Sequence, residues 1–528
     1  MDVVVVDALA HGRYARRQVT VDVIGAGPRT VAGVLEQKGL NVDLYIAEDV
    51  VENPSRLRGY SALLVSGMSV DEPTVARIVR LWRRNSRGPV IVGGPIAADP
   101  EFLVRVRGDV GVYGEAEPVI EKLVETGIFE QQRLDPRTLE RLCGIVYVEN
   151  GGRLRVNRRC PIMPRRVWER YRPSTRVIRG YPLYWAARVY VEVVRGCSNY
   201  SFPRLDGILP PELLPEKPIP GCAYCSVIPL YGYARSRSID HVYEEVKELI
   251  DQGVHRIVLS GPDFLDYGRD WLVEPSPLLD PRNPPPNTKA IAELLRRITA
   301  IPEVSSGEVS VMVENIKPNL VNDEVVLVLG RYLRGTPVHI GAETGDNKLL
   351  EALGRSATVY EVVKAVRLLR RHGLRPYVYI MYCLPGETSR TIRQTVEYME
   401  KLYNAGAEKI TVYKFTPLPL SYLHKLAGTN YDTKCPNPHP VRLRAEEINK
   451  RAKRRLIGLR IRVIIVGYYR GRRPLGYPLK HGPVVLLDRG SIGDLVDARI
   501  VDVISDRMVE ATVIKRIKTL AGESMERS

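Results

Sequence analysis

The chain has only seven cysteines in 528 residues, too few for a disulfide framework in a protein of this size. None of them lies before Cys143. No apolar run approaches the roughly 20 residues that a membrane-spanning helix needs. The opening MDVVVVDALA is too short, and lacks a basic start, to read as a signal peptide. These absences lead us to expect a cytoplasmic protein with no membrane partner. What is present is length for several domains, an ordinary 44% of hydrophobic residues and a net charge of +17. A charge of that size favours nucleic acid as a partner, the alternative being a basic surface that binds nothing.

Residues 1–134 alternate apolar, branched runs with amphipathic stretches. Strands are expected in VTVDVIGA (19–26), NVDLYIA, SALLVSGMSV and GPVIVGGP, with helices at 30–38 and 72–84. Buried parallel strands read this way, so a doubly wound sheet follows. Its ligands would bind beyond the carboxyl ends of the strands, at Ser66-Gly67, Gly93-Gly94-Pro95 and Gly114-Glu115. GAGPRT at Gly25 is only an echo of a dinucleotide loop. Residues 135–184 form a polar, Arg-rich connector, with a hairpin turned at Asn150-Gly151.

From 185 to 438 the pattern becomes six strand-plus-helix units. The strands are RVYVEVV, RIVLSGP, GEVSVMVE, PVHIGAE, PYVYIMYCLP and KITVYKFTP, with helices at 240–252, 288–299, 359–371 and 390–404. Six such units make a partial (β/α)6 barrel, whose chemistry sits at the carboxyl ends of its strands. Residues 439–528 hold a basic helix (440–456), then short strands with glycine turns that suggest a small β-barrel.

The first strand of the partial barrel leads into Cys197, and Cys222-Ala223-Tyr224-Cys225 follows. Three thiolates can hold three irons of a [4Fe–4S] cube and leave the fourth iron open. The other chemistry open to them is a structural zinc site, for which Cys160 could be the fourth ligand. Cys383 reads as a buried strand residue, and Cys143, Cys160 and Cys435 as bystanders.

Arg195-Gly196-Cys197 and the Cys222–Cys225 loop resemble the cluster loop of radical S-adenosylmethionine (radical SAM) enzymes. That family spaces its cysteines C-x3-C-x2-C, whereas here 24 residues, six of them proline, separate the first two. The insertion would have to fold out and return. The resemblance implies that Cys197, Cys222 and Cys225 hold the cluster, with Tyr224 beside the cofactor. It implies that S-adenosylmethionine chelates the open iron and is cleaved to a 5′-deoxyadenosyl radical, with the electron from a ferredoxin or flavodoxin. The loop after the second strand, Ser260, Gly261, Pro262 and Asp263, departs from the family's Gly-Gly-Glu and would meet the methionine amino group. Glu343 and Thr344 would face the cofactor, although Glu343 could instead pair with a barrel arginine. Arg355 would meet a carboxylate, Gly386 would let the backbone approach the adenine, and Glu387 would accept hydrogen bonds.

The flanking segments carry resemblances of their own. LLVSG, PVIVGGP and GDVGVYGEAEPVIEKLVE resemble the cobalamin-binding-type domain, without its Asp-x-His-x-x-Gly motif, so cobalamin is a further candidate cofactor and a cofactor-free scaffold the alternative. YYRGRR at Tyr468–Arg473, HGPVVLL and GDLVDARIVDV resemble the TRAM domain that ends many tRNA methylthiotransferases, the alternative being a packing domain. The order of parts is most like a group of archaeal radical SAM iron–sulfur proteins. Three functions follow as expectations. The first is modification of RNA, above all tRNA, by methylation or sulfur insertion. The second is cobalamin-dependent methylation of a small molecule, lipid or peptide. The third is a non-enzymatic RNA-binding protein with structural zinc.

Overall fold

The computed structural model describes residues 1–17, 21–131, 135–149, 152–429 and 435–520, so the expected turn at Asn150-Gly151 lies outside the described residues. The chain divides into two compact units. The first comprises Met1–Val191, Leu230–Gly232 and Asp240–Gln252; the second comprises Glu192–Pro229, Tyr233–Ile239 and Gly253–Ser528. Among the described residues no helix is long and apolar enough to cross a membrane.

The first unit is built on a seven-stranded sheet. Its strands run, in spatial order, Asn41–Ile46, Asp2–Asp7, Ala62–Ser66, Val90–Gly93, Val110–Val112, Ile145–Val148 and Leu154–Val156. The first five are parallel and the last two antiparallel, so the expected hairpin is built into this sheet. Val4, Val6, Leu63, Val65 and Val92 pack against Trp82 of the helix Glu72–Arg83. The expected strand at 19–26 is a correction. Among its described residues, 21–26, only Val23–Ile24 is extended, and it pairs with Arg188 and Val189 outside this sheet. The place falls to Asp2–Asp7, four consecutive valines whose branched side chains suit a strand covered on both faces. Buried Asp71 then shapes the turn after it, accepting from the backbone N–H of Ala10 at 3.1 Å and Gly12 at 2.8 Å.

In the second unit Arg256–Ser260 pairs parallel with Ser310–Val313, and Asn315–Ile316 continues into Pro337–Glu343, Arg375–Tyr382 and Lys409–Lys414, all parallel. The helices Thr288–Thr299 and Val359–Arg371 span the expected residues. Their starts are fixed by Asn287, which accepts from Ala290 N–H, and by a Thr358–Glu361 capping box. Asp323–Tyr332, capped by Asn322, is a helix that the sequence pattern did not reveal. The basic helix is Pro440–Arg454. Its Asn449 grips both backbone groups of Ile410 at 2.8 and 2.7 Å, and Arg444 and Arg451 share Glu400, so this face is a docked one. Five strands follow and close into a barrel in the order Arg460–Tyr469, Arg473–Pro478, Val484–Leu487, Met508–Thr519, Asp494–Val503. Val463, Ile465, Val485, Leu487, Val496 and Val509 fill it.

His255 is held neutral in this unit: burial lowers its pKa to about 4, with Lys518 adding to the effect. The unfolded chain binds the proton near pH 6.5. Stability is therefore full above pH 6.5 and falls as the pH drops from there to about 4, by at most ~3 kcal/mol. His255→Gln is expected to flatten the urea midpoint over that window. A profile as steep as wild type would contradict this reading.

Candidate active site

Cys197 follows the short strand Val194–Arg195. The insertion at 198–221 leaves and comes back, with Gly221 N–H donating to Ser201 O at 2.8 Å. Leu205 and Leu209 anchor it among Leu349, Leu353 and Leu384, and Ala223 N–H reaches Leu353 O at 2.9 Å. The loop thus returns Cys222 to Cys197. Asn199 spans the two, donating its N–H to Cys197 Sγ at 3.4 Å and Nδ2 to Cys222 Sγ at 3.3 Å and Gly354 O at 2.9 Å. Val227 N–H lies 3.4 Å from Cys225 Sγ. Gly354 has φ +70°, and a Cβ there would stand 2.8 Å from Gly221 O, so only glycine lets this turn approach the loop.

All three thiols are free. Burial pushes the Cys225 thiol up to about 12, with Cys222 adding to it. Burial also raises Cys197, against the pull of Lys317. Such thiols keep their protons until a metal displaces them.

Behind Cys197 lies a buried polar network. Ser198 donates to Asp266 at 2.9 Å, Lys317 Nζ reaches Asp266 at 2.6 Å and Ser198 at 2.7 Å, and Arg269 pairs with Asp266. Burial opposes the charge on Lys317, but Asp266, Cys197 and Asp263 outweigh it and raise its pKa. Burial opposes the charge on Asp266 too, and Lys317 and Arg269 overcome it and hold the carboxyl below its usual range.

Of the expected cofactor residues, one group stands beside the cysteines. Arg355 Nη1 lies 3.8 Å from Cys222 Sγ and its Nη2 lies 3.5 Å from Glu343 and 2.7 Å from Gly341 O. Glu343 has φ +60°, a strained conformation for a non-glycine residue at the end of its strand. Burial raises its pKa, opposed by Arg355. Burial likewise raises the Tyr224 phenol well above its usual value, again opposed by Arg355. Ser260 donates to Glu314 at 2.7 Å. Gly261 lets its strand end close on Val194, whose Cβ would lie 2.9 Å from an added one.

The remaining expected residues have partners of their own. Asp263 is fully buried and accepts from the backbone N–H of Leu265 and Lys317, and Pro262 is exposed. Thr344 is buried with its hydroxyl 3.0 Å from that of Thr395. Gly386, at φ +82°, turns the chain past Ile208. Glu387 accepts from Cys383 N–H and sits 3.0 Å from His439 Nε2. Two readings are corrected: Cys143, Cys160 and Cys435 are not bystanders, since Cys143 is paired with Cys160 and Cys435 with Cys383, and Cys383 is half-buried just past its strand. Cys160 is therefore spent within the first unit and does not complete a zinc site.

Sequence reasoning missed Asn199, Glu314 and the Lys317–Asp266–Arg269 group. Glu314 had a signal, because it ends the third barrel strand as Ser260 ends the second. The others act across long separations and had none.

The residues fit the expected cluster. Three free thiols converge with N–H donors aimed at their sulfurs, the kind of hydrogen bond that tunes such clusters. Beside them Arg355 Nε and Asn199 Oδ1 are buried without partners among the described residues, as polar atoms facing a ligand would be.

A family model described as the radical SAM superfamily matches residues 220–399. An uncharacterized protein of Methanopyrus kandleri is 38% identical over 99% of this chain and 98% of its own length. The chain belongs to the radical SAM superfamily. It is an enzyme of that class, whose cofactors are a [4Fe–4S] cluster and S-adenosylmethionine, and the non-enzymatic zinc reading falls. A threonylcarbamoyladenosine tRNA methylthiotransferase of Thermotoga maritima is 25% identical over 53% of this chain and 56% of its own. A radical SAM methyltransferase of Kitasatospora setae, solved with cobalamin and a [4Fe–4S] cluster, shares the fold of this radical SAM chain. The two are 18% identical, with a TM-score of 0.59 over 80% of this chain and 76% of that one.

Proposed function

We propose that this radical SAM enzyme methylates RNA, with tRNA as the substrate class. The C-terminal barrel carries the reading. Tyr468 and Tyr469 stand 45% and 39% exposed at the end of one strand, and the turn at Arg470 and Gly471 follows with φ of 49° and 69°. The Arg470 guanidinium lies 5.3 Å from the Tyr469 ring centre. Exposed rings beside guanidinium groups stack single-stranded bases and meet phosphates. The likeness to a tRNA methylthiotransferase supports the substrate class. Methylthio transfer is disfavoured, because those enzymes carry three further cysteines in their N-terminal domain and this chain has none before Cys143.

In this reading Cys197, Cys222 and Cys225 hold the cluster. When bound, cluster and S-adenosylmethionine supply a radical that removes hydrogen from an unreactive carbon. The protein binds and orients. Arg355 offers its spare Nε to a carboxylate, Ser260 and Glu314 offer acceptors to an ammonium group, and Tyr224 packs at their side. A ferredoxin or flavodoxin fits as electron donor. Unmodified tRNA transcripts should bind about 10-fold or more weakly to the Tyr468→Ala/Tyr469→Ala protein, at about 1–3 kcal/mol per stacked base. Wild-type binding should also weaken steeply between low and high salt. Affinity equal to wild type at every salt concentration would sink the RNA assignment.

A second reading, cobalamin-dependent methylation of a small molecule, lipid or peptide, has its own observation. His11 follows the strand Asp2–Asp7, is fully buried, directs Nδ1 to Leu9 O at 2.9 Å, and leaves Nε2 without a partner among the described residues. Gly94, with φ +91°, holds the next strand end close to Gly67, where an added Cβ would stand 2.7 Å from Gly67 O. The cobalamin carried by the Kitasatospora enzyme supports it. Protein produced with excess hydroxocobalamin should then copurify with corrinoid, and His11→Ala should lower that content. A visible spectrum free of corrinoid would remove this reading.

A further inference from the structure

We propose that Cys383, Cys435 and His439, with Glu387, form a zinc site separate from the cluster loop. Cys383 ends the strand Arg375–Tyr382 with φ +60°, and His439 begins the helix Pro440–Arg454. The Cα atoms of Cys383 and Cys435 are 5.5 Å apart. The ligand atoms of Cys383, Glu387 and His439 all lie within 4.8 Å of one another. Each half of the set comes from one short turn, Cys383-x3-Glu387 and Cys435-x3-His439, a spacing within the range of structural zinc sites.

The chemistry of the set favours zinc over a plain disulfide. Two thiolates, an imidazole and a carboxylate are its preferred donors. A carboxylate and an imidazole converge on the sulfur pair, and because His439 Nδ1 accepts from Val441 N–H at 3.3 Å, its Nε2, now on Glu387, is the nitrogen left to an ion. Glu387 is held by Cys383 N–H at 3.0 Å and by His439 at 3.0 Å, and His439 is 2% exposed. With the sulfurs reduced, two electrons and two protons coming from a thiol reductant, Zn²⁺ displaces the two thiol protons. At Zn–S bonds of about 2.3 Å, tetrahedral geometry then needs a sulfur separation of only about 3.8 Å. The ion would tie the strand end to the helix that leads into the C-terminal barrel.

Holoprotein purified without oxygen from zinc-supplemented medium should contain one zinc per chain in addition to its cluster iron. Cys222→Ala should lose iron and keep zinc. Cys435→Ser and His439→Ala should lose zinc and keep iron. Should these variants fail to accumulate, alkylation of wild-type protein gives the same reading: Cys383 and Cys435 should be shielded from iodoacetamide and become labelled together once a chelator strips the ion. Zinc below one-tenth per chain, zinc unchanged in both variants, or the Cys383–Cys435 disulfide recovered from anaerobic protein would overturn the site.

Discussion

Lys317→Met should cost about 3–5 kcal/mol of stability, the usual penalty for removing one partner of a buried ion pair. Lys317 faces two fully buried carboxylates, with Asp266 at 2.6 Å and Asp263 at 3.3 Å. Arg269 would remain paired with Asp266, leaving Asp263 with no cation in contact in the described network. Ser198, the residue after Cys197, would lose the nearer of the two donors on its hydroxyl, Lys317 at 2.7 Å, and keep Arg269 at 3.2 Å. The damage should therefore reach the cluster loop as well, and reconstituted iron should fall with stability. Urea denaturation checks the first effect and iron analysis the second. A variant as stable as wild type would show that the network is not what holds Cys197 in place.

Cys222→Ala should remove the cluster outright. Its sulfur accepts from Asn199 and lies 3.8 Å from Arg355, so it joins the insertion to the residues expected to meet the cofactor. Reconstituted wild type should hold about four irons per chain, and the variant close to none. Cys160→Ser is the matched control. Cys160 is paired with Cys143, and its loss should leave iron unchanged. Iron retained in Cys222→Ala, or lost in Cys160→Ser, would assign the wrong cysteines.

Much of this was legible from local pattern. The six barrel strands announced themselves as branched apolar runs, and helices such as Val359–Arg371 as the stretches between them. What stayed hidden depends on distant parts of the chain. Asp2–Asp7 was not among the expected strands, because nothing local shows that sheet neighbours cover its valines. Thr344 and Glu387 sit where the resemblance placed cofactor contacts, yet Thr344 bonds to Thr395, 51 residues on, and Glu387 faces His439, 52 residues on. Asn199 joins two sulfurs across an insertion whose return no spacing rule predicts. Cysteine pairing is equally silent in sequence, which is why Cys435 looked idle.

We propose that radical chemistry on S-adenosylmethionine takes place at Cys197, Cys222 and Cys225. The direct measurement is 5′-deoxyadenosine formed by the reconstituted, dithionite-reduced protein. Wild type should form product, Cys222→Ala none above background, and added tRNA transcripts should raise the yield. A reconstituted wild-type protein that holds its iron and makes no 5′-deoxyadenosine would contradict this proposal.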